Sequence, residues 1–151
     1  MGQNPPTLMP NGDVPIFGRA TAAQIAELIA RAKAASTRAY CPYSRFPVGA
    51  GLLTSTDEIY SGCNVENASY GLTICAERNA VFHAVAEGMV AIKTLVVYTP
   101  TPTPTAPCGA CRQVLNEFGP EAQVLCVCDG PETIELTVSE LLPEAFGAAN
   151  L

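Results

Sequence analysis

Three thiols stand in two separated runs, Cys75-Ala76-Glu77-Arg78 and Pro107-Cys108-Gly109-Ala110-Cys111-Arg112. Each run opens a segment patterned as a helix. All three thiols therefore fall at helix N-termini, where unpaired N–H groups and the helix dipole favour a thiolate. Cys108 and Cys111 are spaced so that both sulfurs reach one ion from a first helical turn. A fold in which Cys75 joins them must bring two helix starts together. Zinc suits such a set, because it favours thiolate sulfur in tetrahedral geometry. Thiols already low in proton affinity also lose little on binding it near neutral pH.

Three ligands leave one tetrahedral position, and a catalytic zinc keeps that position for water whereas a structural one fills it with protein. The single histidine, His83, lies eight residues beyond Cys75. On a helix that is roughly 12 Å along the axis, so His83 is not expected to complete the site. Glu77 follows Cys75 by two and can sit beside the metal without ligating it. A carboxylate there can move protons between water, a ring nitrogen and a leaving amine. Alone, Glu77 would read as an acidic residue complementing the helix dipole; between Cys75 and Pro-Cys-x-x-Cys it reads as catalytic. Zinc with three thiolates is net negative, which weakens it as a Lewis acid. At least one of Arg78 and Arg112 is expected to hydrogen-bond a ligand sulfur and draw off that charge; the alternative is two surface arginines.

Around these runs the pattern alternates between two periods. Residues 21–40 read as a helix, with Ile25, Leu28, Ile29 and Ala32 on one face and Thr21 with Gln24 as a capping box. Residues 48–54 and 59–65 read as a strand hairpin turned at 55–57. A helix over 75–87 stops at Gly88, a strand covers 92–98, and a helix covers 109–118 before Gly119 and Pro120. The Thr-Pro alternation over 99–107 keeps the chain extended. A strand over 122–128, a weaker one around Ile134, and a short helix from the Thr137/Glu140 capping box through Leu142 complete the order. This succession predicts a three-layer α/β/α sandwich with a mixed five-stranded sheet. Residues 1–18, with four prolines, are expected as a flexible tail, and 19–151 as a single domain.

Net charge is −6, with eight Lys and Arg against fourteen acidic residues. Nothing offers the basic surface that a nucleic-acid binder turns to phosphates, so a free nucleoside fits better than a polymer. No apolar run is long enough to span a bilayer. The N-terminus lacks a basic start followed by an apolar run, and the expected compartment is the cytoplasm. The seven cysteines are odd in number, which argues against a disulfide framework. Cys41, Cys63, Cys126 and Cys128 are expected as small buried hydrophobes.

The Cys-x-Glu…Pro-Cys-x-x-Cys pattern resembles the zinc-dependent nucleoside deaminases, and its three-Cys form resembles the small homotetrameric cytidine deaminases. The likeness extends to Pro42-Tyr43-Ser44-Arg45-Phe46-Pro47-Val48-Gly49-Ala50, to Gly62-Cys63-Asn64-Val65-Glu66-Asn67 and to Leu141-Leu142-Pro143-Glu144-Ala145-Phe146-Gly147. The resemblance implies one zinc per chain and hydrolytic deamination of cytidine and 2′-deoxycytidine, a pyrimidine-salvage reaction. It implies that Phe46 lines the base pocket and that Asn64 and Glu66 bind the sugar hydroxyls. It adds Tyr70 and Ala76 to the substrate-binding set, and it implies that Phe146 stacks on the base in a neighbouring subunit, so that a homotetramer shares its active sites. Three rivals stand beside this reading: a deaminase of blasticidin S-type aminonucleosides, a non-catalytic zinc domain, and a redox-active Cys-x-x-Cys protein, which would need neither Cys75 nor Glu77.

Overall fold

The computed structural model describes residues 18–151; the expected tail, save Gly18, lies outside the described residues. Helix α1 (Ala22–Ser36) starts at Thr21, where the two side chains of the Thr21/Gln24 capping box each accept the other's backbone N–H. There follow β1 (Gly49–Thr54), β2 (Ile59–Cys63), α2 (Ala76–Ala86), β3 (Ile92–Tyr98), α3 (Gly109–Phe118), β4 (Gln123–Val127), β5 (Ile134–Thr137) and α4 (Val138–Leu141). The strands form one sheet in the order β2-β1-β3-β4-β5, parallel between β3 and β4 and antiparallel elsewhere.

Strand alternation feeds two cores. Ala50, Leu52, Leu95, Val97, Val124 and Cys126 face one side, with Ala76, Ala80, Val81 and Ala84 of α2 and Leu115 of α3. Leu53, Val96, Tyr98, Leu125 and Val127 face the other, with Leu28 and Ala32 of α1. Covered on both faces, β1 is buried at every residue. The result is the expected α/β/α sandwich on a mixed five-stranded sheet.

Two close approaches depend on glycine. A methyl on Gly51 would lie 2.6 Å from the Leu28 carbonyl of α1, and one on Gly62 would lie 2.6 Å from the Ala76 carbonyl of α2. The first turn of α2 thus rests directly on β2. At its far end α2 closes as a Schellman motif: Gly88 takes φ +96°, its N–H bonds Val85 O, and the Met89 N–H bonds Ala84 O.

Several boundaries differ from the sequence reading. Helix α1 stops at Ser36 rather than running to 40, because the Ser36 and Thr37 hydroxyls donate back to the Lys33 and Ala34 carbonyls and the Tyr40 N–H is taken by Asn64 O. Strand β2 ends at Cys63, short of the expected 65, and Val65 instead bridges Tyr40 and Ile74. Those bridges fix the backbone immediately ahead of Cys75.

Candidate active site

Cys75 is the N-cap of α2 and Cys108 the N-cap of α3; neither side chain caps its own helix, so both sulfurs are free to meet elsewhere. Cys111 follows in the first turn of α3. The three sulfurs lie within 4.8 Å of one another, and Cys75 Sγ is 3.7 Å from Cys108 Sγ. Zinc–sulfur bonds of about 2.3 Å at tetrahedral angles put neighbouring sulfurs about 3.8 Å apart, so the donor set and its spacing fit zinc. No fourth His, Cys, Asp or Glu joins the group among the described residues. Cys111 is buried, Cys75 half-buried and Cys108 exposed, so the cluster opens toward solvent on the Cys108 side. His83 stands apart, edge-on to Tyr60 at 5.1 Å with Nδ1 3.3 Å from Ser61 O.

The electrostatics favour a charged sulfur. A hydrogen bond from Cys111 pulls the Cys75 thiol down to about 5 against its burial, helped by Arg78 and Cys108. Cys111 shares that bond and is raised in turn, first by Cys75 and then by burial. Glu77, one residue into α2, is 5% exposed. Burial raises its proton affinity, and the Cys75 charge adds to the effect. Arg78 Nη2 donates to Cys75 Sγ at 3.4 Å, and its Nε is buried and unpartnered among the described residues, leaving a spare donor beside the sulfurs.

Arg112 goes elsewhere. Its Nε donates to Pro107 O at 2.7 Å and its Nη1 to Leu141 O at 2.8 Å. Of the two arginines considered for charge relief, Arg78 reaches sulfur, while Arg112 ties the Pro107-Cys108 turn to the C-terminal segment.

The remaining expected residues fall into three places. Phe46, Asn64, Glu66 and Tyr70 gather around the turn that follows α1. The Tyr43 and Tyr70 rings sit 5.7 Å apart, and with Ser44, Glu66 and Thr73 they line an open concavity. Asn64 is buried, and its amide is occupied by backbone: Nδ2 donates to Phe46 O at 2.9 Å and Oδ1 accepts from Val48 N–H at 2.8 Å. Glu66 accepts from the Tyr43 N–H at 2.9 Å and the Ser44 N–H at 3.3 Å; the Ser44 side chain first, and then these two backbone bonds, lower its pKa against its burial. Ala76 is fully buried at the start of α2. Phe146 is 59% exposed, with its carbonyl held by Gln113 Nε2 at 2.9 Å.

Asn79 and Gln113 were not singled out by the sequence reading. Asn79 Nδ2 donates to Cys63 O at 2.8 Å and pins α2 to β2; its position four residues beyond Cys75, on the same helix face, was a usable signal. Nothing comparable marks Gln113. Cys126 and Cys128 are buried as expected, and burial pushes the Cys126 thiol up to about 12. Cys41 and Cys63 are only half-buried, because the irregular chain over 37–48 and the end of β2 leave one side open.

A family model described as the cytidine and deoxycytidylate deaminase zinc-binding region matches residues 22–127. The chain belongs to this deaminase family. Among its relatives, a cytidine deaminase of Sporosarcina psychrophila is 47% identical over 84% of this chain and 94% of its own length. A cytidine deaminase of Halalkalibacterium halodurans is 48% identical over 82% and 95%. The crystal structure of a cytidine deaminase from Burkholderia pseudomallei superposes with a TM-score of 0.78 at 45% identity, covering 84% of this chain and all of that one. In this deaminase family the zinc-binding region spans both thiol runs of the present chain.

Proposed function

We propose that this protein hydrolyses the exocyclic amine of cytidine and 2′-deoxycytidine, yielding uridine or 2′-deoxyuridine and ammonia. The observation that carries the reading is a three-thiol cluster with a buried carboxyl, Glu77, beside it. Relatives named cytidine deaminase, similar over most of their length, support the same substrate.

Cys75, Cys108 and Cys111 would hold the zinc, with Arg78 balancing the charge of the thiolates. Bound there, zinc supplies Lewis-acid activation of water. Glu77 does the proton work. It accepts a proton from the attacking water and delivers it to N3 of the cytosine ring, which makes C4 electrophilic. A C–O bond forms at C4. Glu77 then carries the proton of the new hydroxyl to the amino group, the C4–N bond breaks, and ammonia leaves. A carboxyl raised by burial suits both halves of this transfer.

Phe46 and Tyr70 would line the base pocket with Ala76 behind it, and Asn64 and Glu66 would meet the sugar hydroxyls. Phe146 would stack on the base held by a second subunit. Its exposure, with that of Phe82 and Val85 on α2 and of Tyr70, supports a homotetramer with shared sites. Residues 19–151 then form one deaminase domain. No described helix is long and apolar enough to cross a membrane, and a cytoplasmic enzyme of pyrimidine salvage is the setting we assign.

The test is ammonia release from cytidine, 2′-deoxycytidine and blasticidin S side by side. Turnover of the first two with little of the third supports the reading. Turnover of blasticidin S alone moves the substrate to aminonucleosides, and no turnover of any leaves a zinc domain without this chemistry.

A further inference from the structure

Helix α3 serves two parts of the molecule from neighbouring residues. Cys108 at its N-cap and Cys111 in its first turn belong to the thiol cluster. The next two residues reach away from the cluster to the end of the chain. Arg112 Nη1 donates to Leu141 O at 2.8 Å, and Gln113 Nε2 donates to Phe146 O at 2.9 Å. Between these fastenings Glu144 takes φ +53°, in the left-handed region that a residue with a Cβ rarely adopts. A disfavoured conformation persists only when the chain around it is held. On one side the Leu142 N–H bonds Val138 O of α4. On the other, Gln113 alone does the holding: among the described residues, its bond to Phe146 O is the only hydrogen bond made by residues 143–146. The turn that follows is closed on itself, Gly147 N–H to Asn150 Oδ1 at 2.8 Å, and does not tie Phe146 to the fold.

The Phe146 side chain is exposed, so packing within its own subunit does little to place it. Its direction is set by the main chain that carries it, and that main chain is pinned at the carbonyl Gln113 holds. We propose that Gln113 is a positioning residue for the active site of a neighbouring subunit: it fixes the main chain from which the Phe146 ring is presented to the base bound there. The inference rests on the proposed deamination and on Phe146 serving a second subunit. Stacking needs the ring in a defined place. A ring on a loose segment must be ordered each time substrate binds, and that ordering weakens binding.

The experiment asks in which subunit the Gln113 amide acts. Zinc-loaded mixed oligomers are made by co-expressing a Glu77→Gln chain, which keeps its Phe146 but cannot turn over, with a Phe146→Ala chain, which keeps Glu77. Gln113→Ala is then added to one chain or to the other, and kcat and KM for cytidine, oligomer mass, zinc content and melting temperature are recorded. A positioning role predicts that Gln113→Ala in the Glu77→Gln chain lowers the recovered kcat/KM about fivefold or more, mostly through KM. In the Phe146→Ala chain it changes the rate by about twofold or less, because the ring it would place is already gone. A larger loss from the Phe146→Ala chain overturns the inference in favour of a role in the metal site of its own subunit. Equal losses from both chains overturn it in favour of general packing, and no loss from either shows that the bond to Phe146 O is idle. If Gln113→Ala disturbs folding or assembly, Gln113→Met, which keeps the length of the side chain and removes the donor, carries the same comparison. A starting mixture with no more activity than its two parents defeats Phe146 acting across subunits, and the inference with it. Failure of the wild-type protein to deaminate cytidine defeats the functional reading itself and is seen before any variant is made.

Discussion

At the scale of single residues, the site turns on how charge is shared among three sulfurs, one carboxyl and one guanidinium. Arg78 is the one arginine of the pair that touches a sulfur. Removing its charge while keeping a hydrogen-bonding side chain should leave the ligands in place and blunt the metal. Arg78→Gln is therefore expected to lower kcat about 10- to 100-fold while retaining most of the zinc, measured by metal analysis beside steady-state rates; unchanged turnover would remove Arg78 from the chemistry. The thiol cluster and Glu77 were legible in the sequence because residue type and spacing encode them directly. The fates of Arg112 and Asn64 were not. Arg112 follows Cys111 in sequence, yet each helical step turns the side chain by about 100°, and it faces the Pro107 and Leu141 carbonyls instead. Asn64 shares a strand-face spacing with Glu66, but its engagement by Phe46 and Val48 depends on a turn that only the folded chain assembles.

At the scale of elements, the boundaries read most accurately were those with local causes. Strand β3 and helix α3 fall where expected, the latter closed by Gly119 and Pro120. Both capping boxes form as their side chains require. Helix α1 was read too long because its end is set by Asn64, far along the chain. The packing of α2 on β2 matters most for function, since α2 begins at Cys75 and Glu77. Gly62→Ala would push a methyl into the Ala76 carbonyl and Ala80 amide. Overpacking of this kind costs about 1–3 kcal/mol, so denaturant titration should show that loss, with zinc affinity reduced as well. A variant of wild-type stability and full zinc content would mean that α2 can shift freely over the sheet. Thr21→Ala is a milder change: loss of the α1 cap should cost about 1 kcal/mol by the same titration, with kcat unaffected, because α1 lies across the sheet from the cluster.

At the scale of the whole molecule, the sandwich brings the starts of α2 and α3 together on one side of the sheet, and that convergence creates the cluster. The C-terminal segment carries Phe146 outward, held by Gln113. If its ring serves a neighbouring subunit, chains carrying Glu77→Gln and chains carrying Phe146→Ala should complement each other in mixed oligomers. Co-expression should then give several-fold more activity than either variant alone, and no recovery would return Phe146 to its own subunit. All of this depends on metal and carboxyl working as a pair. The most direct measurement is zinc per chain together with ammonia released from cytidine, in the wild-type protein and in Glu77→Gln. The account predicts about one zinc per chain in both, with turnover lower by about 10²- to 10⁴-fold in the variant. Metal-free wild-type protein, or undiminished ammonia release from Glu77→Gln, would contradict it.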